Sequence, residues 1–294
     1  MKFLIFMSDN RTLNNNFNNA DYNSLTSSIN YEYSQKHGYD FIYYRPYLNK
    51  ENTIFNCKNT ITNCLRHAAW SKILSTSLAF ELPFDLSFDY IVYIDSDCIF
   101  KDFDQKLEEF ITPYEDKDII FLNNKPWNSD MPCSGFYICK INEKTKEFFR
   151  MWYNINLPKK DYEHPWEQDA LWDLILHYEY DVDIHIIDGL MFKENKEQFL
   201  RHIGSNEKNN RIPYFKSFIK TKNIDHEKNI VKIKVIEYNT EEYINKNLDI
   251  YKDTYKDINK NININKININ INNKKIQNLI LDDEEIFFEN IFLN

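Results

Sequence analysis

Five consecutive apolar or aromatic residues, Tyr90-Ile91-Val92-Tyr93-Ile94, stop abruptly at Asp95-Ser96-Asp97. A run of this length without polar alternation suits a strand covered on both faces, as in the middle of a parallel sheet. The rest of the chain must then supply a layer for each side of that strand.

The flanking pattern does so. Residues 2–7 read as a short buried strand, followed by a polar, Asn-rich loop over 8–19. Residues 22–36 carry Leu25, Ile29 and Tyr33 at helical spacing, and Gly38 is placed for the left-handed position past the helix end. Residues 39–44 read as a strand stopped by Pro46, and 64–80 as a helix stopped by Pro83. The alternation continues with helix 103–111, strand 118–122, loop 123–134, strand 136–139, helices 142–153 and 166–178, and strands 183–187 and 199–203. Such alternation predicts an α/β layered domain with a largely parallel sheet. A division is expected near residue 220, with a main domain over 1–220 and a C-terminal extension over 221–294. Within the extension, residues 259–273 are almost pure Asn-Ile alternation, which fits a strand with one Ile face or an unordered low-complexity tract. Residues 283–294 carry an apolar face suited to docking.

Charge narrows the function. With 36 basic and 45 acidic residues the net charge is −9, which argues against nucleic acid as the main partner. An anionic small molecule would need a metal ion or convergent Lys and Arg side chains. The first apolar stretch is too short for an export signal, and no run approaches the ~18 apolar residues of a membrane span. The 5 cysteines (57, 64, 98, 133, 139) include no CxxC pair, which argues against a disulfide framework or structural zinc and for a reducing, cytoplasmic setting.

Asp95-Ser96-Asp97 is the main chemical constellation. Two carboxylates one residue apart, just past a buried strand, can chelate a hard cation such as Mg²⁺ or Mn²⁺, and a diphosphate would complete the coordination sphere. Three further segments follow in order: Ser134-Gly135 before a strand, Trp166-Glu167-Gln168-Asp169-Ala170-Leu171 opening a helix, and His202-Ile203-Gly204-Ser205-Asn206-Glu207-Lys208 after another strand.

Together with Lys36-His37-Gly38-Tyr39-Asp40 and Trp70-Ser71-Lys72-Ile73, these segments resemble the retaining glycosyltransferases of GT-A fold. The nearest likeness is to the family of fungal α-galactosyl- and mannosyltransferases and plant xyloglucan xylosyltransferases, and it spans residues 2 to about 208. The resemblance implies a Rossmann-like nucleotide-diphospho-sugar transferase fold and a Mn²⁺ (or Mg²⁺) cofactor held by Asp95, Asp97 and His202. It further implies donor contacts from Ser96, Lys72, Gly204 and Lys208, and an acceptor side at Ser134, Gly135 and Trp166. Ser8, at the carboxyl end of the first strand, joins the donor contacts because α/β sheets deliver ligand loops there. Gly204 follows the histidine by two residues where related retaining families often place it at three.

The implied donor is a nucleotide-diphosphate sugar, a UDP-sugar above others, and the acceptor a glycan, protein or lipid-linked sugar. Retention allows either a carboxylate nucleophile or same-face attack on a shielded oxocarbenium-like centre. Glutamine is a poor nucleophile, so the expectation is same-face attack with Gln168 as electrostatic stabiliser and Asp169 orienting sugar hydroxyls.

Plainer readings stand beside these. Gln168 and Asp169 suit a first helical turn on dipole grounds alone. Trp166 and Trp172 suit a core, Lys72 a solvated helix face, and Ser134-Gly135 a strand-entry turn. His37 suits a helix C-terminus, whereas His67, His164, His177, His185 and His226 have no partner at telling spacing. Two rival functions remain: a Mg²⁺-dependent phosphohydrolase, which also ends a buried strand in Asp-x-Asp, and a non-catalytic sugar-binding protein of the same fold. The first normally carries Thr or Val where Ile99 stands, and the second would be expected to lose a metal ligand.

Overall fold

The computed structural model describes residues 1–49, 54–82, 87–188 and 198–247, all within one compact unit. The tracts at 259–273 and 283–294 lie outside the described residues.

Strand β1 (Phe3–Ser8) is followed by helix α1 (Tyr22–His37), whose N-terminus is capped by Asp21 and which Gly38 ends at φ 74°. Strand β2 (Asp40–Tyr47) runs through Pro46 rather than stopping there. Its pairing with β1 ends at Tyr44, so the proline sits beyond the doubly paired part of the ladder.

The helix expected over 64–80 is shorter. A hairpin of β3 (Phe55–Lys58) and β4 (Leu65–His67) takes its first turn, a 3-10 turn follows, and α2 covers Ser71–Phe80. Strand β5 (Tyr90–Ile94) has the predicted bounds and is buried throughout. Short β6 (Cys98–Phe100) and α3 (Leu107–Ile111) come next. β7 (Ile119–Asn124) then turns tightly into β8 (Asn128–Lys140), so most of the loop expected over 123–134 is strand. The bulges that interrupt the β7–β8 register explain why no simple alternation marks this stretch.

The chain continues through α4 (Glu143–Asn154), α5 (Glu167–His177), β9 (Ile184–Ile187), β10 (Leu200–His202), α6 (Arg211–Lys222), α7 (His226–Lys232), β11 (Lys234–Asn239) and α8 (Thr240–Lys246). The division expected at residue 220 falls inside α6, and β11 beyond it pairs in parallel with β2.

Among the described residues the main sheet has seven strands in the order β11-β2-β1-β5-β8-β7-β9, with β8 alone running against the rest. One face, with Ile5, Met7, Val92 and Ile94, packs against α1 residues Leu25, Ile29 and Tyr33. The other carries Phe6, Tyr93 and Tyr137, continued by Phe149 and Trp152 of α4, with adjacent ring centroids 4.9–5.7 Å apart. Burying rings of this size contributes several kcal/mol each on an area basis, about 25 cal/mol per Å². The carboxyl ends of parallel strands β1 and β5 stay open to a cavity beyond these two layers, where α/β sheets place their sites.

Candidate functional site

The site begins where β5 ends. The Asp95 amide donates to the Gly135 carbonyl at 2.9 Å, and the Cys98 amide donates back to the Asp95 carbonyl at 3.0 Å, folding residues 95–98 into a turn. Helix α1 holds that turn with small polar side chains one helical turn apart. Thr26 Oγ1 donates to the Ser96 carbonyl at 2.7 Å, while Asn30 bridges the Cys98 carbonyl and the Phe100 amide, both at 3.0 Å. These buried residues satisfy backbone groups that a Leu or Val would leave unpaired.

The second half of the cluster arrives through β10, which pairs antiparallel with β6 and sets His202 opposite Cys98. The Ile203 amide donates to the Asp97 carbonyl at 3.0 Å, and His202 Nε2 lies 2.8 Å from Asp97 Oδ1. One ligand atom from each of Asp95, Asp97 and His202 falls within 4.8 Å of the others. Burial opposes the charge on His202, but Asp97 outweighs it and raises the imidazole to about 10. Asp97 is in turn lowered to about 2 against its own burial, by His202 first and then by Arg211. Two carboxylates and an imidazole form a donor set that suits Mn²⁺ or Mg²⁺. The backbone makes room for it, since a Cβ at Gly135 would lie 2.9 Å from both Asp95 Oδ2 and His202 Cε1.

Behind Asp95 is a buried ionic chain. Lys72 Nζ lies 3.0 Å from Asp95 Oδ1 and 2.8 Å from Glu167 Oε1, with Lys72 and Glu167 side chains only 6% and 4% exposed. Burial opposes the Lys72 charge, but Asp95 and Glu167 prevail and raise its pKa above the usual lysine range. Ser134 Oγ donates to Glu167 Oε1 at 2.9 Å, and the Ser134 amide donates to Gln168 Oε1 at 3.0 Å. Tyr93 also donates its hydroxyl to Asp95.

These groups line an open cavity of about 850 Å³. Ser8, Lys72, Asp95, Ser96, Asp97, Ser134, Trp166, Gln168, His202 and Gly204 all border it, and Gly135 lies against the cluster. Two expected contacts are elsewhere. Asp169 is ion-paired with Lys160, off the cavity wall, and Lys208 is exposed and outside the lining. Two residues given no role from sequence stand in their places. Glu167 lies on the inner side of α5, and Arg211, opening α6, lines the cavity and pairs with Asp97. Glu167 stood inside the quoted helix motif, where 100° per residue sets it about 200° around the helix from Asp169. Arg211 lies past the last element read from the sequence and carried no signal there.

The far wall is aromatic. His67 stacks on Trp166 with centroids 3.7 Å apart and planes 1° from parallel, and His164 meets the same indole edge-on at 4.7 Å. Trp166 is held at φ 50°, a costly conformation for a bulky residue and one that marks functional sites. Trp127 also lines the cavity and is 55% exposed. His67 Nδ1 accepts from the Ala69 amide at 3.1 Å, which makes Nε2 the protonated nitrogen. Burial, then Lys72 and His164, lower its pKa to about 4.

No protein-family model matches this chain, and no curated protein matches its sequence. Solved structures do. A glycosyltransferase involved in glycosylation of the major capsid of PBCV-1 matches 74% of this chain and 100% of its own, at 14% identity and a TM-score of 0.54. The fold is GT-A. Looser likenesses are a variant of Drosophila β1,4-galactosyltransferase 7 in complex with manganese, UDP-Gal and xylobiose (12% identity, 71% of this chain and 74% of that one, TM-score 0.38) and GlyE of Streptococcus pneumoniae TIGR4 (8%, 76% and 64%, TM-score 0.40). In this GT-A chain the Asp-x-Asp turn, the late histidine and the open carboxyl edge of the sheet share one cavity. No helix among the described residues is long and apolar enough to cross a membrane.

Proposed function

We propose that this chain is a metal-dependent glycosyltransferase that moves a hexose or pentose from a nucleotide-diphosphate sugar, a UDP-sugar above others, to a glycan, protein or lipid-linked acceptor with retention. The observation that carries this reading is the convergence of Asp95, Asp97 and His202 to within 4.8 Å on a cavity also lined by Lys72 and Arg211. That arrangement explains how a protein of charge −9 would take a diphosphate.

Mn²⁺ or Mg²⁺ bound by the three residues would neutralise charge on the leaving diphosphate. The chain's own residues would do the remaining work. Lys72, anchored by Glu167, holds Asp95 in orientation. Gln168 has its carbonyl oxygen engaged by Ser134, so the end of its amide left for substrate is a donor, which suits stabilising oxygen in a same-face substitution and not nucleophilic attack. Asp169, turned to Lys160, fixes the first turn of α5 in preference to sugar hydroxyls. The Trp166, His67 and Trp127 wall offers flat apolar faces with polar edges to an acceptor sugar ring.

The test is thermal stability of purified protein against UDP- and GDP-sugars with and without Mn²⁺, followed by donor hydrolysis. Stabilisation by one donor only with metal supports the reading. No shift with any donor, together with turnover of a generic phosphate ester, would replace it with the phosphohydrolase reading.

A further inference from the structure

Asp97 has two oxygens and two cationic partners. His202 Nε2 lies 2.8 Å from Oδ1, and Arg211 donates Nη2 to Oδ2. Arg211 is itself held from a second direction, because its Nε donates to the Ile203 carbonyl at 2.6 Å. Its guanidinium carbon lies 4.8 Å from the Tyr22 ring centroid, and Arg11 covers the same ring at 4.0 Å. The Arg211 side chain is 14% exposed and lines the cavity.

A divalent cation on Asp97 competes with both partners for the same carboxylate. Arg211 Nη2 would lose its acceptor while the Nε bond to Ile203 kept the guanidinium in the cavity. A planar fork of N–H donors left beside a metal-bound site matches phosphate oxygens two at a time, which a lysine ammonium does not.

We propose that Arg211 is a diphosphate-binding residue held on Asp97, and that it exchanges this carboxylate for the diphosphate when a cation occupies the cluster. It takes the part that the family resemblance implied for Lys208. The inference rests on the metal-diphosphate reading of the site, and it couples cation and diphosphate binding in a defined order.

The test is isothermal titration of wild type, Arg211→Gln, Arg211→Lys and Lys208→Ala with Mn²⁺ alone, then with UDP and with inorganic pyrophosphate at saturating Mn²⁺. Arg211→Gln removes a competitor for Asp97, so Mn²⁺ alone should bind about threefold to tenfold tighter while UDP and pyrophosphate bind about tenfold to hundredfold weaker. Arg211→Lys should fall between, and Lys208→Ala should stay within twofold of wild type. A merely structural role would weaken Mn²⁺ and diphosphate together. The proposal is overturned if Arg211→Gln weakens Mn²⁺ binding, or if it leaves both diphosphates within twofold of a wild type that binds them; the glycosyltransferase reading would survive either result. If wild type binds pyrophosphate but not UDP, an Arg211→Gln loss upholds the diphosphate role and the UDP-sugar reading fails. If wild type binds neither pyrophosphate nor nucleotide with Mn²⁺, both are overturned.

Discussion

Gly135 and His202 are packed so closely that a methyl group on the glycine would sit 2.9 Å from the imidazole Cε1. The same methyl would meet Asp95 Oδ2 at 2.9 Å, so two of the three ligands share one small space. Gly135→Ala should therefore push both side chains from the cluster, weaken Mn²⁺ binding at least tenfold and lower the metal-free melting temperature through the strained Lys72–Asp95 and His202–Asp97 pairs. Titration with Mn²⁺ and a thermal melt of the same sample check this.

Asp97 anchors both His202 and Arg211. Asp97→Ala should abolish Mn²⁺-dependent nucleotide binding, a loss beyond about a hundredfold, while far-UV circular dichroism remains that of wild type. Unchanged Mn²⁺-dependent UDP affinity would remove Asp97 from the site.

Lys72 sits between Asp95 and Glu167 with almost no solvent access. Lys72→Met leaves the buried Glu167 and the partly buried Asp95 without their cation, which should cost about 3–5 kcal/mol by analogy with broken buried pairs, chiefly through Glu167. Added Mn²⁺ should return part of that stability, because Asp95 regains a positive partner. Denaturant unfolding with and without Mn²⁺ measures both effects.

His67 gives a pH signature. Its folded-state value, lowered to about 4 from an ordinary 6.5, means that the unfolded chain binds the extra proton between those limits. Stability from this residue is therefore complete above about pH 6.5 and declines as pH falls towards 4. His67→Gln should flatten that part of the stability profile and leave the region above pH 7 unchanged, as read from melting temperature against pH.

Trp127 is half exposed, lines the cavity and is not among the three candidate ligands. Trp127→Ala should raise the acceptor KM about tenfold and leave metal-dependent donor hydrolysis within twofold. Parallel transfer and hydrolysis assays separate the two.

The central strand and its carboxylates were legible because a five-residue apolar run has few other uses. β5 has the bounds read from its residues, and the Asp95, Asp97 and His202 set converges as expected. Residues 64–70 misled because Ala69, Ile73 and Leu74 have helical spacing that does not say where the helix begins, and pairing of Cys57 with Arg66 decides it. In α5 the order Glu167-Gln168-Asp169 was plain, but which face turns inward depends on Lys72, contributed by a distant helix. Lys208 and Arg211 are three residues apart, yet Lys208 is exposed while Arg211, where the turn over Ser205–Asn210 gives way to α6, is rotated into the cavity. Spacing along a chain cannot register that rotation.

The β6–β10 ladder joins Cys98 to His202 across a long intervening stretch of chain. Closing so large a loop must precede assembly of all three ligands, so in the unfolded ensemble the cation meets only the neighbouring Asp95 and Asp97 without His202. Metal should then act almost wholly on the escape from the native state, slowing unfolding and leaving the refolding rate nearly unchanged. The cluster would work as a kinetic lock, set last and released first.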